Sequence, residues 1–170
     1  MPRPLPSPAR LLAAPLLAAA LTTGCTGDRW HPHCFPGDMM VATPTGEQPI
    51  GALGTGDVVW SVDLATGQLT PARVAFRWDT FTNALVDVTA PEAKVTTTPT
   101  HPFRDAVTER WVRAGDLDPG HALMVRDRDL VVSATAEVSP ERAVPPLEVH
   151  SLSVEGPHRN FIAGGFVVGQ

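Results

Sequence analysis

The sequence has 170 residues, a length typical of a single domain. It contains 13 basic and 18 acidic residues, which give a formal net charge of −5 at pH 7. Arg3 and Arg10 are the only charged residues before position 25, so the rest of the chain carries a net charge of −7. This excess of acid argues against nucleic acid or an anionic lipid surface as a partner, because both bind through clusters of lysine and arginine.

The amino-terminal segment has the pattern of an export signal. Two arginines and no acid precede a run of leucine and alanine, Leu11–Leu21, and the small residues Thr22–Gly24 follow it. A basic start, a short apolar run and a small-residue cleavage zone are typical of a signal peptide, and the apolar run is too short to span a bilayer. We therefore predict that residues 1–24 are a signal peptide and that the protein is exported, with a buried helix as the alternative.

The segment Leu21–Cys25 resembles a bacterial lipobox, in which the cysteine is diacylated after cleavage. A lipidated Cys25 would anchor residues 25–170 to the outer face of a bacterial membrane. Cleavage by an ordinary signal peptidase, after Gly24 or Ala20, would instead give a freely secreted protein. A disulfide between Cys25 and Cys34 is the structural alternative for both cysteines of an exported chain.

Beyond position 34 the chain consists of short β-rich segments separated by turn residues. The predicted strands are Met39–Ala42, Asp57–Asp63, Gln68–Trp78, Leu85–Thr89, Ala93–Thr98, Trp111–Val112, Ala122–Val125, Leu130–Val138, Leu147–Val154 and Asn160–Val168. The 18 prolines argue against long helices, and Arg113–Leu117 is the one candidate for a helical turn. The sequence therefore predicts an all-β fold.

A weak internal repeat runs through these segments. Leu53–Val59 matches Leu117–Leu123 at an offset of 64 residues, and Ala72–Val74 matches Ala136–Val138 at the same offset. In both copies of the first match a glycine turn enters a strand. Two similar β units in tandem predict a pseudo-twofold arrangement rather than a solenoid, which would need more repeats.

Three features of the sequence are candidates for chemistry: Cys34 at the start of the β-rich region, Thr98 with His101 at a strand end, and His158 before the last strands. Each alone also has a structural explanation. A free cysteine is most often buried as a small apolar residue. A histidine at a strand end is most often structural, and His158 in its Gly-Pro turn is most simply an exposed loop residue. A zinc site is a further alternative, with the ligand types His31, His33, Cys34 and His101. No second paired motif completes that spacing, so we predict neither a metal nor another cofactor.

In this order and spacing, the features resemble the Hint (hedgehog/intein) domain, the self-processing module of inteins, bacterial intein-like domains and hedgehog proteins. The matching segments are Cys34–Val41, Pro49–Val59, Thr98–Phe103, Trp111–Gly120, Val149–Glu155 and Asn160–Gly165. The resemblance covers residues 34–170 and implies a horseshoe-shaped all-β fold built from two pseudo-twofold-related β units.

The resemblance also implies a reaction. The Cys34 thiol would attack the preceding carbonyl group and convert the His33–Cys34 peptide bond into a thioester. His101 would protonate the amide nitrogen of Cys34, and Thr98 would hold the scissile bond or stabilise the oxyanion, with His158 as a further catalytic candidate. Water or an external nucleophile would then release residues 34–170 from the short leader, residues 25–33.

The carboxyl-terminal segments depart from the family pattern. Splicing modules end in His-Asn, whereas Gly169 and Gln170 occupy these positions here, and the usual Asp of the Val-x-Asp-Leu segment is Ser151. His158 stands three residues before Phe161 rather than two. We therefore expect autoproteolysis at Cys34 without protein splicing. The alternative is a degenerate, inactive Hint fold that serves as an exported binding or structural module.

Overall fold

The computed structural model describes residues 33–170. The predicted signal peptide, Cys25 and all of the leader except His33 lie outside the described residues. The strands are β1 (Phe35–Pro36), β2 (Met40–Thr43), β3 (Gly46–Pro49), β4 (Val58–Asp63), β5 (Gln68–Ala90), β6 (Ala93–Thr97), β7 (Pro102–Arg104), β8 (Trp111–Arg113), β9 (Ala122–Asp127), β10 (Leu130–Thr135), β11 (Glu137–Val138), β12 (Arg142–Val154), β13 (Asn160–Ala163) and β14 (Phe166–Gly169). Two one-turn 3-10 helices, Ile50–Ala52 and Ala114–Asp116, connect them. Within residues 33–170, no helix is long and apolar enough to cross a membrane.

The strands form two antiparallel sheets. In the first sheet, β12 lies between β1 and β5, and β5 also pairs with β4, β6 and β11. In the second sheet the strand order is β10-β9-β14-β13-β2-β3, with β7 paired to β14 and β8 paired to β7. The amino-terminal β1 and the carboxyl-terminal β14 therefore lie in different sheets, although both border the region that contains Cys34.

The all-β prediction is confirmed, and several strand boundaries differ from those predicted. The segments Gln68–Trp78 and Leu85–Thr89 are parts of one long strand, β5, because β12 pairs with it through both segments. The predicted strand Asn160–Val168 is a hairpin that turns at Gly164 and Gly165, both with positive φ. The segment Leu130–Val138 divides into β10 and β11, which join different sheets.

The internal repeat is present as two equivalent turns. The backbone N–H of Gly54 donates to the Asp57 carboxylate at 2.8 Å, and the N–H of Asp118 donates to the His121 ring at 2.9 Å. Each turn follows a 3-10 helix and enters a strand, β4 in the first unit and β9 in the second. The pseudo-twofold arrangement is therefore confirmed.

The second match of the repeat is shifted by two residues. The N–H of Val74 donates to the Asp57 carbonyl at 2.7 Å, and the N–H of Ala136 donates to the His121 carbonyl at 2.8 Å. Val74 is thus the structural equivalent of Ala136, rather than of Val138 as the sequence offset predicts.

One apolar core holds the two sheets together. Its largest members are four phenylalanines with no exposed surface, which come from β1, β7, β13 and β14: Phe35, Phe103, Phe161 and Phe166. Because β1 and β7 flank Cys34 and His101, this core also fixes the position of both side chains.

Candidate active site

Cys34 is held in place by the end of β6. Its N–H donates to the Thr98 Oγ1 at 3.1 Å, while its carbonyl oxygen accepts from the Thr98 N–H at 3.0 Å and from the Thr97 hydroxyl at 2.9 Å. Both polar groups of the Cys34 backbone are therefore paired in a buried setting. The structure places the Thr98 hydroxyl at the amide nitrogen of the His33–Cys34 bond.

Two hydrogen bonds from the second 3-10 helix hold the turn from Thr98 to His101 in place. The N–H of Ala114 donates to the His101 carbonyl at 2.8 Å, and that of Gly115 donates to the Pro99 carbonyl at 2.7 Å. A side chain at Gly115 would lie 3.2 Å from the Pro99 carbonyl oxygen, so this close approach favours glycine. The segment Trp111–Gly120 thus supports the turn that carries His101.

His101 is fully buried, and its ring lies 4.1 Å from the Phe35 ring between centroids. Burial, reinforced by the charge of His33, lowers the pKa of His101 from 6.5 to about 3. The backbones of His33 and Gly169 act in the opposite direction and raise the pKa, but by less than burial lowers it. Neither ring nitrogen meets the full geometry of a hydrogen bond with the described residues. His101 is therefore neutral at pH 7.

The Cys34 thiol is free and 1% exposed. Burial, together with the negative charge of Asp79, raises its pKa from 9.0 to about 12. At pH 7 only about 10⁻⁵ of such a group is thiolate. Attack by this sulfur therefore requires that a neighbouring group removes the proton as the bond forms.

Asp79 and His150 are site residues that the sequence did not reveal. They are opposite each other on β5 and β12, and the His150 Nδ1 lies 2.7 Å from the Asp79 carboxylate. Hydrogen bonds from His150 and then Arg77 lower the pKa of Asp79, so its carboxylate is charged at neutral pH. The sequence offers one weak signal for Asp79, which is an acidic residue within the aromatic segment Phe76–Phe81. It offers none for the contact with His150, because the two residues are 71 positions apart.

Arg77 holds this carboxylate–histidine pair in position, and Gly37 leaves space for it. The Arg77 Nε lies 2.8 Å from the Asp79 carboxylate, and its guanidinium also donates to the Gly51 and Leu53 carbonyls. A side chain at Gly37 would lie 3.0 Å from the His150 ring. The glycine that follows Cys-Phe-Pro therefore leaves room for His150.

His158 lies in the loop before β13, and a buried asparagine holds this loop. The Asn160 side chain accepts from the Val62 N–H at 2.8 Å and donates to the Val62 carbonyl at 2.9 Å. Its amide also donates to the His158 carbonyl at 3.1 Å. The Asn160 side chain thus connects the His158 loop to β4 through hydrogen bonds.

A cleft of about 1090 Å³ lies beside Cys34, and we refer to it as the Cys34 cleft. Its lining includes His33, Cys34, Asp79, Trp78, Trp111, Ser151, His158 and Gln170. Ser151 thus faces the cleft where the family pattern has Asp, while Asp79 provides a carboxylate from the neighbouring strand. The side chain of Gln170 is paired with the backbone of Val154, which donates to its Oε1 at 2.6 Å.

His33, the residue before the thiol, is also fixed. Its Nδ1 lies 2.6 Å from the Thr100 carbonyl, and its ring stands edge-on to that of His101 with centroids 6.2 Å apart. Among residues 33–170, no three His, Cys, Asp or Glu side chains are grouped so that they could hold a metal ion. The imidazole of His33 helps to fix the scissile bond against the His101 turn.

Comparison with known proteins agrees with this architecture. No family model matches the sequence. Warthog protein 1 of Caenorhabditis elegans is 34% identical over 116 residues, a match that covers 61% of this chain and 23% of that protein. The chain therefore corresponds to about a quarter of the curated relative.

Two solved structures illustrate the similarity of fold. The bacterial intein-like domain from Clostridium thermocellum superposes with a TM-score of 0.69 at 21% identity, covering 81% of this chain and 98% of that domain. The DnaB intein from Synechocystis sp. PCC 6803 gives a TM-score of 0.69 at 18% identity, covering 80% of this chain and 96% of the intein. The chain therefore has the Hint fold, which it shares with inteins and bacterial intein-like domains.

Proposed function

We propose that residues 34–170 are a self-processing domain that converts its own His33–Cys34 peptide bond into a thioester and so releases the leader. One observation carries the proposal. Cys34 carries a buried free thiol and its amide nitrogen donates to the Thr98 hydroxyl, while the neutral ring of His101 packs against Phe35, the next residue. A buried free thiol beside its own amino-side carbonyl is the arrangement that an N–S acyl shift requires.

The first step transfers the acyl group from nitrogen to sulfur. The Cys34 sulfur attacks the His33 carbonyl carbon, and the carbon–sulfur bond forms as the carbonyl oxygen becomes an oxyanion. The thiol proton passes to the free lone pair of neutral His101, which serves as the base. Asp79 is the second candidate for this role, because it lines the same cleft as Cys34 and its negative charge acts on the thiol.

The second step breaks the carbon–nitrogen bond. An amide nitrogen is a poor leaving group until it is protonated, and the imidazolium formed in the first step carries the necessary proton. Thr98 holds the nitrogen in position through the 3.1 Å hydrogen bond from the Cys34 N–H. The products are a thioester between His33 and the Cys34 sulfur and a free α-amine on Cys34.

The thioester is then resolved by water or by an external nucleophile that reaches it through the Cys34 cleft. Attack by water leaves a carboxylate on His33 and returns the thiol to Cys34. If residues 1–24 export the chain and Cys25 is lipidated, this reaction frees residues 34–170 from a membrane. No cofactor or nucleic acid takes part in these steps.

A second candidate function is a non-catalytic binding or structural module with the Hint fold. The observation that favours it is the state of the thiol, which burial and Asp79 hold in the protonated form with a pKa of about 12. A Cys34 with no catalytic role would be buried in the same way, so burial alone does not separate the two functions. The two functions differ in one observable, the mass of the chain after it has been exposed to a nucleophile.

The test is incubation of the purified chain with dithiothreitol or hydroxylamine at pH 7, followed by intact mass spectrometry. The active domain should yield two species, the leader ending at His33 and residues 34–170. A Cys34→Ala variant should remain whole. A His101→Ala variant should cleave about 10²–10⁴-fold more slowly, the usual loss when a general acid–base is removed.

Wild-type protein that keeps a single mass after long incubation would overturn the self-cleavage proposal and favour the inert module. The matched control is His121→Ala. His121 carries the same ring and lies near a carboxylate, 3.4 Å from Asp105, but it is outside the Cys34 cleft. It should cleave at the wild-type rate.

A further inference from the structure

The charged side chains that line the Cys34 cleft are mostly positive, although the chain as a whole is acidic. Two arginines, Arg113 and Arg159, line the cleft, and Asp79 is the one acidic side chain among its described lining residues. The Asp79 carboxylate is already paired with His150 and Arg77, at 2.7 Å and 2.8 Å. Since the net charge of the sequence is −5, the excess of positive charge is a local property of this cleft.

Both of these arginines are available to a ligand. Arg113 and Arg159 are exposed, and within residues 33–170 neither side chain forms an ion pair or a hydrogen bond. The arginines that do form ion pairs there are Arg77, Arg104 and Arg142. A guanidinium presents its N–H donors in a planar fork that matches the oxygens of carboxylate and phosphate groups. The cleft therefore offers two cationic groups to an anion.

Arg113 is held next to the turn that carries His101. It is opposite Pro102 in the pairing of β8 with β7, and Pro102 lines the same cleft. The residue after Arg113, Ala114, donates its N–H to the His101 carbonyl at 2.8 Å. The position of Arg113 is therefore fixed relative to the proposed base.

Arg159 is held in the loop before β13. Its φ is +50°, in the left-handed region that residues other than glycine rarely adopt. The neighbouring Asn160 side chain bonds to the His158 carbonyl at 3.1 Å and to the Val62 N–H at 2.8 Å. Because these bonds hold the backbone on both sides of Arg159, the loop keeps this residue at the cleft.

We propose that Arg113 and Arg159 form an anion-binding site, which selects as acyl acceptor a thiol or amine that carries a negatively charged group. A cleft lined by one sign of charge raises the local concentration of molecules of the opposite charge. Its volume of about 1090 Å³ is sufficient for a small-molecule ligand. The inference rests on the proposed function, because the acceptor acts on the thioester between His33 and Cys34.

The step exchanges the acyl group between two nucleophiles. The sulfur of a thiol acceptor attacks the His33 carbonyl carbon, and the bond from this carbon to the Cys34 sulfur breaks. The proton of the acceptor thiol passes to the Cys34 sulfur. The leader leaves as a thioester of the acceptor, and residues 34–170 keep a free thiol. An amine acceptor gives an amide by the same exchange, and neither reaction needs an oxidant or a reductant.

The test compares three thiols of similar size and different charge: mercaptoethanesulfonate, an anion; mercaptoethanol, which is neutral; and cysteamine, a cation. Intact mass spectrometry follows leader release from the wild-type chain, at thiol concentrations where the rate is proportional to concentration and attack on the thioester limits it. Each rate is divided by the rate of the same thiol with a small-molecule thioester, which removes differences in intrinsic reactivity. The anion should then react fastest and the cation slowest.

Replacement of either arginine should weaken this preference. In Arg113→Gln or Arg159→Gln, the rate with the anionic thiol relative to the neutral one should fall about two- to fivefold, the range for one exposed charge pair. The relative rate with cysteamine should rise. Arg159→Lys retains the charge and should retain most of the preference.

The matched control is Arg128→Gln. Arg128 is also exposed and has a φ of +55°, but it lies outside the Cys34 cleft. It should leave the relative rates unchanged. Equal normalised rates with the three thiols, or the same loss of preference in Arg128→Gln as in Arg159→Gln, would overturn the anion site. Both results would leave the self-cleavage proposal intact, because cleavage itself would have been observed.

A chain that is unable to cleave gives a measurement that is independent of the reaction. In Cys34→Ala, titration with ethanesulfonate should shift the side-chain Nε–H NMR signals of Arg113 and Arg159 and leave that of Arg128 in place. Equal shifts at all three arginines, or none, would contradict the anion site. If the two signals shift while the wild-type chain stays whole with every thiol, the self-cleavage proposal fails and the anion site stands.

Discussion

Cys34 and His101 are both held in their uncharged forms by burial. The thiol pKa rises to about 12, and the imidazole pKa falls to about 3. At pH 7 the pair therefore consists of a neutral acid and a neutral base, and in the proposed reaction the proton leaves the thiol as the sulfur attacks.

The pKa of His101 predicts how stability depends on pH. In the unfolded chain His101 titrates near 6.5, and in the folded chain it titrates near 3, so only the unfolded chain gains a proton between these values. The folded state is therefore favoured above pH 6.5 and loses stability as the pH falls towards 3, by up to about 5 kcal/mol in unfolding free energy.

Urea unfolding at pH 7, 5.5 and 4 measures this loss, with Cys34→Ala in the background to prevent cleavage. A His101→Asn variant should lose less stability across that range, because asparagine does not titrate. His121→Asn serves as the control, since His121 is partly exposed and lies outside the buried site. Parallel acid profiles for the His101→Asn variant and its parent would contradict the low pKa.

Removal of the Thr98 hydroxyl should affect both stability and cleavage. In Thr98→Ala the buried N–H of Cys34 loses its acceptor, which should cost about 1–3 kcal/mol in unfolding free energy. The amide nitrogen also loses its anchor, so leader release in dithiothreitol should slow. Thr98→Ser keeps the oxygen and should restore both the stability and the rate of leader release. Urea unfolding and intact mass spectrometry measure the two effects. Failure of this rescue would argue against the role assigned to the hydroxyl.

Among the elements, the hairpin of β13 and β14 connects the second sheet to the strand that supports Cys34. The turn residue Gly164 accepts from the Lys94 N–H at 2.9 Å and donates to the Met40 carbonyl at 2.8 Å. Its φ is +53°, a conformation that favours glycine. This turn therefore joins β6 to β2.

Replacement of Gly164 by alanine should be severely destabilising. The added Cβ would overlap the Lys94 carbonyl oxygen, in addition to the cost of the left-handed backbone. We expect a loss of about 3 kcal/mol or more in unfolding free energy. Gly54→Ala is the control, because a Cβ there meets nothing within 4 Å, and a comparable loss in both variants would contradict the explanation.

Asn160 connects another pair of elements, β4 and the loop that carries His158. In Asn160→Ala, the Val62 N–H and carbonyl lose the partners that the amide provides, with an expected cost of about 2–4 kcal/mol. Hydrogen exchange should also become faster in the loop at residues 155–159. Ser61→Ala removes only the 3.2 Å bond to Asn160 and should have a smaller effect; equal losses would argue against this account.

At the scale of the whole molecule, the sequence predicts the fold well because its signals are local. The turns at Asp57 and His121 each depend on neighbouring residues, and alternation within single strands shows the all-β class. The hairpin at Gly164 and Gly165 was missed, although two consecutive glycines inside a predicted strand are a recognisable turn signal. The long strand β5 was also missed, since its continuity depends on pairing with β12.

The candidate site is harder to predict from the sequence than the fold, because its residues are distant along the chain. Cys34 and the Thr98–His101 turn follow a recognisable spacing. The Asp79–His150 pair does not, since neither residue has a local pattern and the contact depends on the register between β5 and β12. The neutral state of His101 likewise follows from its full burial against Phe35, a residue distant along the chain.

The central claim is that the molecule makes a thioester between His33 and Cys34, and hydroxylamine capture tests it directly. Tandem mass spectrometry of the treated wild-type chain should find a hydroxamate on the His33 carboxyl carbon of the leader. The partner fragment should begin with Cys34 and carry a free α-amine. Neither product should form in the Cys34→Ala chain. A wild-type chain that remains whole, or a break at any other bond, would contradict the account.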